Sequence, residues 1–148
     1  MESYNIRKLF VTYEQAIELK SLGFNYPTFF CFDKCQMRSC NLDGQEMFDG
    51  INYNNSAYYT SQPSKQQCLQ FFRDNYSLYH NIYNYTHSEP TDKIPCGFTF
   101  SIDEDWTCIV GKNKDGLFDT YYNNYEEAED ACINRLIELA KYKKNSDD

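Results

Sequence analysis

The feature that most constrains the fold of this chain is the apolar periodicity of its C-terminal stretch, from residue 124 to about residue 143. Apolar residues recur there at spacings of three and four, the pattern of an amphipathic α-helix with one charged face. They are Ala128, Ala131, Cys132, Ile133, Leu136, Ile137, Leu139 and Ala140. Asn124 supplies an N-cap for this helix. Because this is the longest periodic segment, the other elements must provide a surface for its apolar face.

Two shorter helices begin with capping boxes, in which a hydroxyl and a glutamine three residues later satisfy the first backbone amides. Thr12 and Gln15 form the first box, and its helix runs to Leu22, where Gly23 ends it. Ser64-Lys65-Gln66-Gln67 forms the second box and starts a helix with one apolar side. The sequence therefore predicts three capped helices.

Strands are predicted where aromatic and β-branched residues cluster, or alternate with polar ones, between turn signals. These segments are 28–32, one or two short strands at about 36–41 and 45–48, then 78–85, 96–102, 106–110 and 117–122. Tight turns between them indicate antiparallel pairing. The predicted fold is therefore α+β, an antiparallel sheet of about four to five strands with three helices against one face, in the order α-β-β-α-β-β-β-α. We expect a single domain over 1–148, with 1–11 as a lead-in segment and 144–148 as a frayed tail.

The composition favours an ordered, aromatic-rich sheet. The 148 residues include 14 Tyr and 11 Phe, whereas glycine and proline are scarce. Tyrosine and phenylalanine bury large areas and favour strands. A low content of glycine and proline argues against disorder.

Charge and hydropathy exclude several classes of function. The net charge is −8 and the sequence has no basic patch, which disfavours direct binding of nucleic acid. No signal-peptide pattern is found, and no apolar run approaches the roughly 18 residues of a membrane helix. We therefore expect a cytoplasmic location and no membrane partner. Seven cysteines, an odd number, are then most simply free thiols.

Three cysteines within ten residues, Cys31, Cys35 and Cys40, are the candidate metal ligands. Three thiolates and one further ligand could hold zinc. That ligand would come from Cys96, Cys108, His80 or His87. The spacing is not the tight C-x2-C of a zinc knuckle, however, and Cys31 falls within a predicted strand. Buried thiols are the simpler interpretation, so we expect neither a metal nor another cofactor.

Nucleophilic catalysis would need a cysteine or serine beside a histidine and an orienting acid. The chain has two histidines, His80 on a predicted strand and His87 in a polar loop. Neither lies beside a recognisable nucleophile motif. We therefore expect no enzymatic activity.

Tyr79, Tyr83 and Tyr85 alternate along one predicted strand and so share one face of it. Tyrosine is enriched at protein interfaces because it offers contact area and a hydroxyl at a low entropic cost. If this face is exposed, the three residues form a docking surface. If it is buried, they are core residues, and alternation alone does not distinguish the two.

The sequence Asp103-Glu104-Asp105 is a predicted acidic turn beside the last strands. It lacks the regular spacing of oxygen ligands in a calcium loop, and a solvated turn is the simpler interpretation. We place all three acidic residues, with the three tyrosines, in the candidate binding surface.

The three helices also carry a resemblance. Their sequences resemble a family of small proteins found in Bacteroidetes genomes and in their phages and prophages. The matching residues are Thr12-Tyr13-Glu14-Gln15-Ala16 with Leu19 to Phe24, then Pro63, Gln66-Gln67, Phe72-Arg73 and Tyr76, then Tyr125 to Cys132 with Leu136-Ile137. The strands and the 31–40 stretch match less well. The resemblance implies a phage or mobile-element setting and transfers no site residue.

These observations favour a non-enzymatic phage or mobile-element accessory protein that binds another protein through an acidic, tyrosine-rich surface. One alternative is an anti-defence inhibitor whose acidic surface mimics nucleic acid and occupies a basic channel. Another is a small zinc- or thiol-dependent enzyme that uses the cluster at Cys31, Cys35 and Cys40. The partner's identity stays open.

Overall fold

A computed structural model of the chain describes residues 5–39, 51–85, 97–112, 118 and 120–147. Within these ranges the protein has α+β architecture, which confirms the predicted class. The helices are α1 Tyr13–Ser21, α2 Lys65–Tyr76 and α3 Tyr125–Asp147, with 3-10 turns at Ile6–Leu9 and Tyr53–Asn55. The strands are β1 Phe30–Asp33, β2 Gln36–Ser39, β3 Tyr59–Gln62, β4 Leu78–Tyr85, β5 Gly97–Glu104 and β6 Thr107–Val110.

The chain divides into two compact units. The first comprises Met1–Phe71 with Lys141–Asp148, and the second comprises Phe72–Ala140. The points of division fall inside α2 and α3. Folding of the whole chain as a single domain stays a prediction.

The two capping boxes form as the sequence predicts. In the first, the amide of Gln15 donates to Thr12 Oγ1 at 3.2 Å, and the amide of Thr12 donates to Gln15 Oε1 at 3.0 Å. Ser64 and Gln67 exchange the same pair of hydrogen bonds at the start of α2. Gly23, with a φ of 92°, lies just beyond the C-terminal end of α1. Local side-chain chemistry therefore fixes where these helices begin.

The third helix also begins at its predicted cap. The amide of Glu127 donates to Asn124 Oδ1 at 2.9 Å. Apolar residues spaced at three and four along this helix are buried: Ala128, Cys132, Ile133, Leu136, Ile137 and Ala140. The helix continues to Asp147, through residues that the sequence predicts as a frayed tail.

The first unit holds a three-stranded antiparallel sheet in the order β2-β1-β3. Strand β3 was not predicted, because Thr60, Ser61 and Gln62 show no apolar alternation. These polar residues are nevertheless buried. The buried polar groups of Ser61 have hydrogen-bond partners. Its hydroxyl accepts a hydrogen bond from the backbone amide of Tyr53 at 2.9 Å, and its own backbone amide donates to Asn54 Oδ1 at 2.8 Å. Hydrogen bonds to a neighbouring segment, rather than hydrophobic pattern, stabilise this strand.

The second unit holds an antiparallel sheet in the order β4-β5-β6. The strand predicted at 117–122 appears in the described residues only as isolated bridges, from Lys112 to Phe118 and from Phe98 to Tyr122. The single predicted sheet of four to five strands is therefore not confirmed. The described residues form two sheets of three strands each, in the order α-β-β-β-α-β-β-β-α. The segment predicted at 45–48 lies outside the described residues.

Candidate functional site

The register between β4 and β5 brings most of the predicted surface residues onto one face. Tyr79 pairs with Asp103, Tyr83 with Thr99, and Tyr85 with Gly97. Directly paired residues of antiparallel strands project to the same side of the sheet. We call the side that carries the three tyrosines the tyrosine face. The opposite side of β4 begins with Leu78, which is buried.

At one end of the tyrosine face, the chain packs on the tyrosines and covers them in part, since Tyr85 stays 37% exposed. The ring of Phe118 packs on Tyr83 and Tyr85, with centroid distances of 5.2 and 5.7 Å. Lys112 Nζ lies 5.5 Å from the ring centroids of both Tyr83 and Phe118, a cation–π geometry. The Tyr83 hydroxyl is 3.3 Å from Ser101 Oγ. We call these residues, Tyr83, Tyr85, Lys112 and Phe118, the closed end.

The other end of the tyrosine face is open. Tyr79 is 47% exposed, and Trp106 is fully exposed. Together with Asn81, Asp103 and Asp105 they line a concave space of about 320 Å³. We call this space the hairpin-tip cleft, because it lies beside the turn that joins β5 to β6. It contains three of the six residues that the sequence placed in the binding surface.

The turn beside the cleft has an unusual backbone. Asp105 and Trp106 have φ values of 47° and 67°. Positive φ at both central residues is the pattern of a type I′ hairpin turn, in which glycine usually occupies the second position. A left-handed conformation costs a residue such as tryptophan about 1–2 kcal/mol. Since the side chain of Trp106 is fully exposed, burial does not offset this cost within the described chain.

The cleft is also anionic. Asp103 Oδ2 accepts a hydrogen bond of 3.0 Å from Asn81 Nδ2. Among the residues that the structure describes, no lysine or arginine forms an ion pair with Asp103 or Asp105. The lining therefore includes two aspartates that have no cationic partner within the described ranges, together with two aromatic residues. This combination suits a positively charged group with a flat or apolar surface.

The remaining predicted acid, Glu104, lies elsewhere. It pairs with Leu78 on β4 and with Thr107 on β6. Its side chain therefore projects to the side of the sheet opposite Asp103.

Trp106 is a site residue that the sequence pattern did not predict, because that pattern places Trp106 at the start of a strand. Its position as the single tryptophan after three acidic residues was the available signal.

The cysteine cluster is spread out in the structure. Cys31 is buried in β1, and Cys35 is exposed in the turn between β1 and β2. Cys40 lies outside the described residues. Among the residues that are described, no group of three or more His, Cys, Asp or Glu side chains could hold a metal ion.

The Cys132 thiol and the half-buried His80 imidazole have shifted pKa values, and neither residue lines the cleft. Burial, with the charge of Glu129 nearby, raises the pKa of the Cys132 thiol to about 12. A thiol with so high a pKa stays protonated at neutral pH, which is the opposite of an activated nucleophile. Burial and the positive charge of Arg73 lower the pKa of His80. His80 lies on the side of β4 opposite Tyr79.

The first unit contains a larger concave space of about 560 Å³. Arg7, Tyr13, Phe32 and Met37 are among its lining residues, and so is Cys35. Cys35 is a weak zinc candidate from the sequence, yet it has no second described thiol in this lining. The hairpin-tip cleft therefore has the stronger case, since it combines exposed aromatics, two carboxylates and a strained turn.

No protein-family model, curated protein or solved structure matches this chain. Among the helices formed by described residues, none is long and apolar enough to cross a membrane.

Proposed function

We propose that this protein is a non-enzymatic accessory protein of a phage or mobile element, which binds another protein through the hairpin-tip cleft. The observation that carries the proposal is the fully exposed Trp106, held in a left-handed turn beside Tyr79 and two carboxylates. The resemblance of the three helices supplies the phage setting and, with it, the cytoplasm of a bacterial host.

The chemistry of tryptophan and tyrosine supports a binding role. These two residues, with arginine, dominate the binding energy of protein interfaces, because they bury a large area and lose little side-chain entropy. The strain at Trp106 lowers the stability of the fold, and the exposed side chain gains no burial that would offset this cost. Such strain concentrates at functional sites. Binding of a partner would bury Trp106 and offset the strain.

The positions of the reactive groups support a non-enzymatic role. The cleft is lined by two aromatic rings, two carboxylates and an amide, and none of these is a thiol, a hydroxyl of serine or an imidazole. The Cys132 thiol is buried, with a pKa of about 12, and His80 lies on the opposite side of β4. The cleft thus offers contact area and negative charge for binding.

Mimicry of nucleic acid is a second candidate, and the charge of the chain favours it. The net charge is −8, and Asp103 and Asp105 lack an ion-pair partner among the described residues. A mimic would bind a basic channel by charge, with a strong dependence on salt. Its binding would depend little on the Trp106 ring.

The test is retention of a partner from a lysate of a Bacteroidetes host, identified by mass spectrometry and then purified. We expect Trp106→Ala to weaken binding of that partner by about 2 kcal/mol, or about 30-fold in Kd. Tyr58→Ala is the matched control, because Tyr58 is also highly exposed but lies in the first unit. If both variants bind equally well, the proposed site is wrong. Loss of binding at high salt, with no effect of Trp106→Ala, would instead support the mimic.

A further inference from the structure

We infer that the hairpin-tip cleft holds the guanidinium group of an arginine side chain from the partner. This inference rests on the proposed function, because it names the chemical group that the protein-binding site takes. The π faces of Trp106 and Tyr79 attract a cation, and the carboxylates of Asp103 and Asp105 neutralise it. Trp106 is the single tryptophan of the chain, so its fluorescence reports on this cleft alone.

The closed end shows how the same face accommodates a cation. There, Lys112 Nζ lies over the rings of Tyr83 and Phe118, 5.5 Å from each centroid. The hairpin-tip cleft has two aromatic rings as well, and it adds two carboxylates. It lacks a lysine or arginine of the described chain to pair with those carboxylates. The described chain thus leaves these two carboxylates open to a cation from another molecule.

Arginine fits this site better than lysine. The guanidinium group is planar, so it can stack on an aromatic ring while its edge donates two hydrogen bonds to a carboxylate. It is also more weakly hydrated than an ammonium group, which lowers the cost of entering the cleft. Asn81 Nδ2 already donates to Asp103 Oδ2, which fixes that carboxylate in place.

The cleft is large enough to take an arginine side chain. A space of about 320 Å³ lies at the small end of the range for ligand pockets, roughly 300–1,000 Å³. Calcium or magnesium fits the lining less well, because these ions take six or more oxygen ligands and do not use the two aromatic rings.

Trp106 provides the measurement, because its fluorescence is the only tryptophan signal of the chain. The probe is the blocked tripeptide acetyl-Gly-Arg-Gly-amide, titrated at low salt into the full-length protein. The control probe is the same peptide with citrulline, which keeps the planar shape but has no charge. We expect a saturable change with the arginine peptide and binding at least tenfold weaker with the citrulline peptide.

Two variants test the carboxylates without changing the shape of the site. We expect Asp103→Asn and Asp105→Asn each to weaken binding of the arginine peptide at least fivefold. Asparagine tolerates the left-handed conformation at position 105, so the turn should be kept, as a circular dichroism spectrum will show. Lys112→Ala is the matched control, because it changes the charge at the closed end, and we expect no change in the titration.

The outcomes separate this inference from the proposed function. If the arginine and citrulline peptides behave alike, or if the asparagine variants bind as well as the wild type, the arginine site is wrong. The proposed function would still stand if Trp106→Ala lost the purified partner. Selective binding of the arginine peptide supports the inference even if no partner depends on Trp106, in which case the proposed function alone fails. Tighter binding of the matching lysine peptide than of the arginine peptide also overturns the inference.

Discussion

The two ends of the tyrosine face differ although one strand supplies both. At the closed end, the Phe118 ring packs on Tyr83 and Tyr85, although Tyr85 stays 37% exposed, and Lys112 Nζ lies over the rings of Tyr83 and Phe118. At the hairpin-tip cleft, Tyr79 is left open beside the exposed Trp106. Alternation along β4 therefore places three tyrosines on one face, and the segment after β6 adds ring and cation contacts to two of them.

The largest effect should come from removing the cover of the closed end. We expect Phe118→Ala to lower the free energy of unfolding by about 3 kcal/mol, because it deletes a ring that is only 7% exposed. Tyr79→Ala, at the open end, should lower it by less than about 1 kcal/mol. Chemical denaturation measures both. Equal losses for the two variants would contradict the distinction between the ends.

Truncation of Trp106, in the turn at the hairpin-tip cleft, should raise stability rather than lower it. We expect Trp106→Gly to raise the free energy of unfolding by about 1 kcal/mol, because glycine adopts a φ of 67° without strain. The same variant should lose the binding that Trp106 provides. Lys34→Gly is the control, since Lys34 has a φ of 55° in the hairpin of the first unit. It should stabilise the protein and leave binding unchanged; a destabilised Trp106→Gly would show that the ring packs in the native state.

On the side of β4 opposite the tyrosine face, His80 should make the free energy of unfolding depend on pH. Burial and Arg73 hold the pKa of His80 below the ordinary value of 6.5. The unfolded state therefore binds a proton more readily, so stability should fall as the pH drops below about 6.5. We expect His80→Gln to reduce this loss, as measured by thermal unfolding between pH 7.5 and pH 5. An unchanged pH profile in the variant would place His80 in solvent.

The smallest effect concerns the cation at the closed end. We expect Lys112→Ala to lower the free energy of unfolding by about 0.5 kcal/mol, through loss of a cation–π contact at an exposed position. Lys8→Ala, which removes an exposed lysine from the first unit, is the control and should have a smaller effect. A larger loss for the control would indicate that net charge, rather than the ring contact, sets the difference.

Helix starts could be predicted because their chemistry is local. The hydroxyl of Thr12 and the amide of Gln15 lie three residues apart, and their hydrogen bonds need no distant partner. The strands of the second unit could be predicted for a similar reason, since they alternate and are joined in sequence. Strand β3 could not, because the burial of Ser61 depends on a hydrogen bond from Tyr53.

The candidate site was predicted in part. Tyr79, Asp103 and Asp105 line the cleft, as their places in the sequence suggested, because strand alternation and a tight turn bring them together. Trp106 escaped prediction, because a tryptophan normally favours a strand and glycine normally occupies its turn position. The packing of Phe118 on Tyr83 and Tyr85 could not be predicted either, because it depends on the path of the segment after β6.

Quenching of Trp106 fluorescence by ions tests the central claim most directly, namely that one end of the tyrosine face is an open, anionic, aromatic cleft. The reference is N-acetyl-tryptophanamide, which is fully exposed and uncharged. We expect caesium to quench the protein more efficiently, relative to this reference, than iodide does, and Asp103→Asn with Asp105→Asn to reduce the difference, since the variant still carries a net negative charge. Weak quenching by both ions, or equal relative quenching in the wild type and the double variant, would contradict the account.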